Sequence, residues 1–301
     1  MRTAIYIIAF IVLSIGIAFA IRSTNFNKKS FEKTETKKDK DKTNDKKNEG
    51  SSELTILKKW DVPEVLKEIS ALVYMDQDRF ACIQDEDGKI FIYNTKSGKI
   101  EKEIPFGDAG DYEGLAIAGQ NAFVLRSDGH IFEVQNFNGP KPGVVEHSTH
   151  LTAKNNPEAL CYDSKNNRLL VGIKGNESNS DDYKGIYAFN LSDFKMAEAP
   201  VFKIDLTNSI FDEYRRKKKG SEIQPSAIAI HPVTGDIYIT EATKPKLLIL
   251  DSSGTIKTLI KLKGSDFNQP EGISFSPDGR MYISNEGSKK EAGNIMEVER
   301  L

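Results

Sequence analysis

From Glu68 to the carboxyl end, apolar and polar residues alternate in short runs. The first four are EISALVY from Glu68, RFACIQ from Arg79, KIFIYN from Lys89 and KIEKEI from Lys99. A period of two puts alternate side chains on opposite faces of a strand, so each run predicts a β-strand. Asp87-Gly88 and Ser97-Gly98 separate these runs, and Asp128-Gly129, Thr234-Gly235, Ser253-Gly254 and Asp278-Gly279 punctuate later ones. Glycine accepts the positive φ that tight hairpins need, so successive strands should be antiparallel neighbours.

The groups of strands recur. EISALVY begins at Glu68, EGLAIA at Glu113, EALCYD at Glu158, SAIAIH at Ser226 and EGISFS at Glu271, at intervals of 45, 45, 68 and 45 residues. The long interval holds two extra pieces, NESNSDDYKG from Asn176 and TNSIFDEYRRKKKG from Thr207. Four antiparallel strands in roughly 40–50 residues make a β-propeller blade. The prediction is an all-β chain with five four-stranded blades. The last repeat shows three strands, EGISFS, RMYISN and NIMEVE, and ELTILKKW at 53–60 is the candidate for its fourth. That pairing closes the ring and removes two open sheet edges. A sixth blade within 176–222 is the alternative, although APVFKID is the one outer strand readable there.

The first 52 residues follow another pattern. Thr3 to Ile21 is an uncharged run of 19 residues rich in Ile, Ala and Phe. At about 1.5 Å per residue it spans roughly 28 Å, close to the thickness of a bilayer core. Residues 1–21 read as an uncleaved membrane anchor. The alternative is a signal peptide cut near Ala20, after the small-x-small triplet Ala18-Phe19-Ala20. Arg22, Lys28, Lys29 and Lys33 follow the run and Arg2 precedes it. By the positive-inside rule those flanks favour a cytoplasmic globular part. Residues 22–52 are rich in Lys, Asp, Glu and Thr and bury too little apolar surface to offset ordering entropy, so a disordered linker is expected.

Charge divides the chain at the same place. Residues 1–52 hold 11 basic and 6 acidic residues, which leaves 31 basic and 38 acidic in the globular part, 53–301. An acidic domain lacks the basic stripe that displaces counterions from nucleic acid; it suits cations better. Cys82 and Cys161 fall in predicted strands of different repeats and read as small buried apolar residues.

In a propeller the innermost strand of each blade lines the central channel. The glutamate that opens this strand recurs as Glu68, Glu113, Glu158 and Glu271, so four carboxylates are expected around one channel mouth; Ser226 breaks the set. The second strand runs back to the same mouth. It brings Asp85, Arg126, Lys174, Glu241, Asn285 and Glu286 as candidate ligand-binding residues, with Glu241 standing in for the carboxylate that Ser226 lacks. Pro157, Pro225 and Pro270 push Asn156, Gln224 and Gln269 towards extended backbone. Converging carboxylates must take up protons, spread apart or bind a cation. Oxygen ligands at flexible spacing suit calcium better than zinc, which makes Glu68, Glu113, Glu158 and Glu271 the candidate metal ligands. The plainer alternative is that each caps backbone amides between blades. The chain has no Gly-x-Ser-x-Gly elbow and no phosphate-binding loop.

KEISAL, GDYEGLA, NPEAL and QPEGISFSPDGRMYISNE resemble the SdiA-regulated family of bacterial propeller proteins over roughly residues 60–301, together with the anchor layout. The resemblance implies a membrane-associated propeller on the periplasmic or extracellular side of the cell envelope, with a metal-binding mouth at the four glutamates. The Ser226 departure bears on whether that ring is complete. More loosely, the glutamate phrases are similar to those of calcium-using phytase-like and esterase-like propellers. Two functions follow. One is a membrane-tethered, monomeric binding module that holds calcium and recognises a small ligand or a protein partner. The other is a calcium-dependent phosphoesterase or esterase, in which Arg126 and Lys174 stabilise anionic charge. The basic insertion FDEYRRKKKG is the candidate protein contact.

Overall fold

Alternating runs become strands, and the glycine turns set their order. The computed structural model describes residues 54–215 and 220–300, which lie within one structural unit, Glu49–Leu301. The expected anchor, the linker and the basic run 216–219 lie outside the described residues. Among the described residues no helix is long and apolar enough to cross a membrane.

The described chain begins with β1 (Leu54–Asp61). Blade 1 is β2 (Ile69–Asp76), β3 (Arg79–Gln84), β4 (Lys89–Asn94) and β5 (Lys99–Pro105). Blade 2 is β6 (Tyr112–Ala118), β7 (Asn121–Arg126), β8 (Ile131–Gln135) and β9 (Gly143–His147). Blade 3 is β10 (Pro157–Asp163), β11 (Arg168–Ile173) and β12 (Tyr183–Asn190), with the outer place shared by β13 (Lys195–Met196) and β14 (Phe202–Asp205), both paired to β12. Blade 4 is β15 (Ala227–Ile230), β16 (Ile237–Glu241), β17 (Lys246–Leu250) and β18 (Ile256–Lys261). Blade 5 is β19 (Pro270–Phe275), β20 (Met281–Asn285) and β21 (Asn294–Arg300), completed by β1. β1 runs antiparallel to β21 from Leu54↔Arg300 to Asp61↔Asn294, which is the expected ring closure. The innermost strands β2, β6, β10, β15 and β19 adjoin in that order, and β19 returns to β2. The fold is a five-bladed β-propeller. The residues considered for a sixth blade instead supply β13, β14 and the short 3-10 helix Ser209–Tyr214, which buries Phe211 and Tyr214.

Each blade is covered on both faces by its neighbours, so its middle strands are apolar on both sides: Ile90, Phe91, Ile92 and Tyr93 are all 2% exposed or less. Five apolar clusters result, one at each junction. Ile92 and Val124 share the cluster between blades 1 and 2, Phe123 and Phe189 that between 2 and 3, and Ile186 and Leu248 that between 3 and 4. Leu247 and Met296 share the cluster between 4 and 5, and the Phe80 and Tyr282 rings meet edge to face between 5 and 1. Burying one such side chain contributes about 1.5–3 kcal/mol, so the junctions carry most of the cohesion between blades.

The starts of the innermost strands and the ends of the second strands share one face of the ring. Four innermost strands are bulged at their first residues, at Ser70, Glu113, Glu158 and Glu271. The blade-1 counterpart of the glutamates is therefore Ser70, and Glu68 precedes it by two positions. The Glu-Gly phrase has a packing cause. A Cβ on Gly114 would lie 2.6 Å from Leu160 Cβ, and one on Gly272 would lie 2.5 Å from Leu72 Cδ2 in the adjoining blade. Only glycine lets adjacent innermost strands approach this closely.

Candidate functional site

A bulge adds a residue to one strand and re-aims its side chain out of the regular ladder. Here it brings Glu113, Glu158 and Glu271 to the channel mouth, within electrostatic reach of one another. Blades 1 and 4 have serine at this level. Ser70 Oγ donates to the Tyr112 carbonyl and Ser226 Oγ to the Pro270 carbonyl, each at 2.7 Å, so each serine ties its blade to the next.

Glu158 is the deepest of the three, at 2% exposed. Its Oε1 accepts from Lys174 Nζ at 2.8 Å and from Asn156 Nδ2 at 2.7 Å, while its buried Oε2 has no hydrogen-bond partner. Asn156 does not take the extended backbone expected before Pro157. Its φ is 44°, in the left-handed region that asparagine tolerates. The Lys174 backbone is held at both ends: its N–H donates to the Asn156 carbonyl at 3.0 Å, and its carbonyl accepts from Lys184 Nζ at 2.7 Å. Lys174 is also within electrostatic reach of Glu113, Glu271 and Glu286.

A second group of acids lies nearer the rim. Asp85 has a buried Oδ1 without a hydrogen-bond partner and feels the charges of Glu68, Glu86 and Asp111. Glu286 Oε2 accepts from Gln269 Nε2 at 2.7 Å and feels Asp85 and Glu68. Glu68 is exposed. Asp111 adds its charge to Glu113 and Glu158 and accepts from Ser127 Oγ.

Beyond the acids the channel is apolar. Leu72, Leu115, Leu160, Ile228 and Ile273, one from each innermost strand, line a cavity of about 450 Å³. The carboxyls thus rest on a hydrocarbon floor, and burial is the first cause of their altered acidity. Burial pushes Glu113 up to about 9, with further repulsion from Glu158, Asp111 and Glu271 and partial relief from Lys174. Burial and then Glu158 push Glu271 up to about 8. Glu158 is pushed up by burial to about 7, against the opposing pull of Lys174 and Asn156. Asp85 rises to about 6, through burial and then Glu68. Burial works against the Lys174 charge, but Glu158 and the other acids outweigh it and raise its pKa.

Three of the candidate residues stand elsewhere. Arg126 turns away to Asp128 and Glu146, at 2.9 and 3.4 Å, and stacks over Phe132. Glu241 is sealed against Lys246 and accepts from the Gln224 N–H at 3.1 Å. Asn285 is fully buried and donates to Asn294 Oδ1 at 3.1 Å.

The donors at the mouth are hard carboxylate oxygens with too little positive charge to neutralise them, and Glu158 and Asp85 each keep a buried oxygen unpartnered. Charge and donor type fit a hard cation such as calcium. Among the described residues, however, no three acidic, histidine or cysteine groups lie close enough to clasp an ion as they stand. Holding one requires the side chains to close in.

No protein family and no curated protein matches the sequence. Solved structures do match the fold. A glutaminyl cyclase from Myxococcus xanthus superposes with a TM-score of 0.57 at 17% identity, covering 82% of this chain and 95% of that one. A streptogramin B lyase gives 0.47 at 13% identity, covering 82% and 98%. At 17% identity the likeness to the glutaminyl cyclase is one of fold alone.

Proposed function

We propose that this chain is a binding propeller whose acidic channel mouth takes up a hard divalent cation, calcium being the leading candidate, and recognises a small ligand or protein partner beside it. One observation carries the reading: Glu113, Glu158 and Glu271 share one buried mouth in which, among the described residues, Lys174 is the cation within reach of all three. A cluster short of positive charge holds protons until a cation replaces them. The likeness to SdiA-regulated proteins and the apolar segment at 3–21 support a monomeric module tethered to the membrane and facing the envelope.

The hydrolase reading has less support. Arg126, one of the two side chains expected to stabilise a developing anionic charge, is engaged by Asp128 and Glu146 instead. The glutaminyl cyclase likeness shows that a similar scaffold can serve catalysis, but fold alone assigns no reaction.

The test is calorimetry of the full chain at pH 8, with calcium and with a chelator. A ligand bound by the native state raises stability, so the melting temperature should rise with calcium, and the Glu113→Gln, Glu271→Gln double variant should lose that rise. An unchanged melting temperature in the unmutated protein removes the reading.

A further inference from the structure

We propose that Lys174 is an exchangeable internal counter-ion: its ammonium occupies the seat between Glu158 and the other mouth glutamates, swings out when a divalent cation arrives, and so makes the mouth selective for divalent over monovalent ions. The inference rests on the cation reading of the same site and adds the residue that sets its selectivity.

Three lysines on this face allow a comparison. Lys246 is 0% exposed, bonds Glu241 and the Lys244 carbonyl, and lies 4.6 Å from the Tyr214 ring centroid. Lys184 is 1% exposed and donates to the carbonyls of Lys174 and Gly175 and to Asn176 Oδ1. Both are locked on several sides. The Lys174 side chain is 27% exposed, and among the described residues its ion pair is with Glu158 Oε1. It has a path to solvent at the mouth. Its backbone stays anchored by Asn156 and Lys184, so departure needs rotation of the four-carbon stem and no movement of the blade.

Charge sets the direction of exchange. The ammonium brings one positive charge to carboxyls that can carry three, and leaves Glu158 Oε2 unpartnered. A sodium or potassium ion brings the same charge and gains nothing over a tethered ammonium already in place. A divalent ion brings twice the charge and can use the second Glu158 oxygen, so it alone outcompetes the lysine.

The experiment is a calcium titration of the full chain at constant ionic strength, for the unmutated protein and for Lys174→Met and Lys174→Gln. Losing the competitor should tighten calcium binding by at least about tenfold and let sodium compete measurably for the site. In the unmutated protein, acylation of the Lys174 amine, read by mass spectrometry, should increase when calcium is added. Equal affinity in all three proteins, weaker binding in the variants, or unchanged Lys174 acylation overturns the exchange. If the variants fail to fold, the acylation result decides. Absence of calcium binding in every protein overturns the underlying cation reading, and is told apart from failure of the exchange because no titration then shows binding.

Discussion

The glutamate face carries two buried groups of charge, and they are built in opposite ways. Glu241 and Lys246 form a matched pair, 1% and 0% exposed, with further hydrogen bonds from the Gln224 N–H and to the Lys244 carbonyl. Glu113, Glu158 and Glu271 share Lys174, whose side chain is 27% exposed. In the first group burial raises the acid and lowers the lysine, and the mutual attraction opposes both shifts. In the second the acids also repel one another, and protons make up the missing positive charge. A matched pair is a structural element of blade 4. An unmatched cluster is where we propose that a further cation binds.

Breaking the matched pair should have the largest effect. Glu241→Gln leaves the Lys246 ammonium buried without a counter-charge, which costs about 3–5 kcal/mol and should show as an earlier urea midpoint. Glu113→Gln should do the reverse at pH 8, because it removes a carboxyl that resists ionisation.

Next comes the pH dependence of the cluster. Glu113, Glu158 and Glu271 have native pKa values raised to about 9, 7 and 8, above the ordinary glutamate value. Between that value and the raised ones the native state holds protons that the unfolded state has lost, so each unit of rising pH favours unfolding. Without divalent ions the protein should be most stable near pH 5 and lose stability steadily as the pH rises to 9. The Glu113→Gln, Glu271→Gln variant should flatten that slope in a series of unfolding curves. A rise in stability over the same range contradicts the direction of the shifts.

Smaller effects separate the serine blades from the glutamate blades. Ser226→Ala removes the bond to the Pro270 carbonyl and should cost about 1 kcal/mol in chemical unfolding, leaving calcium affinity unchanged. Arg126→Ala touches partly exposed ion pairs and should cost at most about 1 kcal/mol. A tighter calcium affinity in that variant would place Arg126 in the site after all.

The repeat made the fold legible, because a 45-residue period and period-two runs leave few architectures open, and the short last repeat called for β1 to close the ring. The site was legible only in part. Equal spacing suggested Glu68 as the fourth mouth glutamate, but the bulge at Ser70 moves the equivalence, and a bulge leaves no mark in alternation. Arg126, Glu241 and Asn285 were placed at the mouth by their position at strand ends. Local partners Asp128, Lys246 and Asn294 decide where those side chains turn. Lys174 was expected to hold anions; its bond to Glu158 gives it the opposite place, as the cation of an acidic cluster.

The most direct test counts protons. Calcium titrations of the full chain at pH 8, in two buffers that differ in ionisation enthalpy, report how many protons leave as the ion binds. The charge-deficient mouth predicts release of about one to two protons per calcium, and loss of that release in the Glu113→Gln, Glu271→Gln variant. Calcium binding with no proton release, or release that persists in the variant, would contradict it.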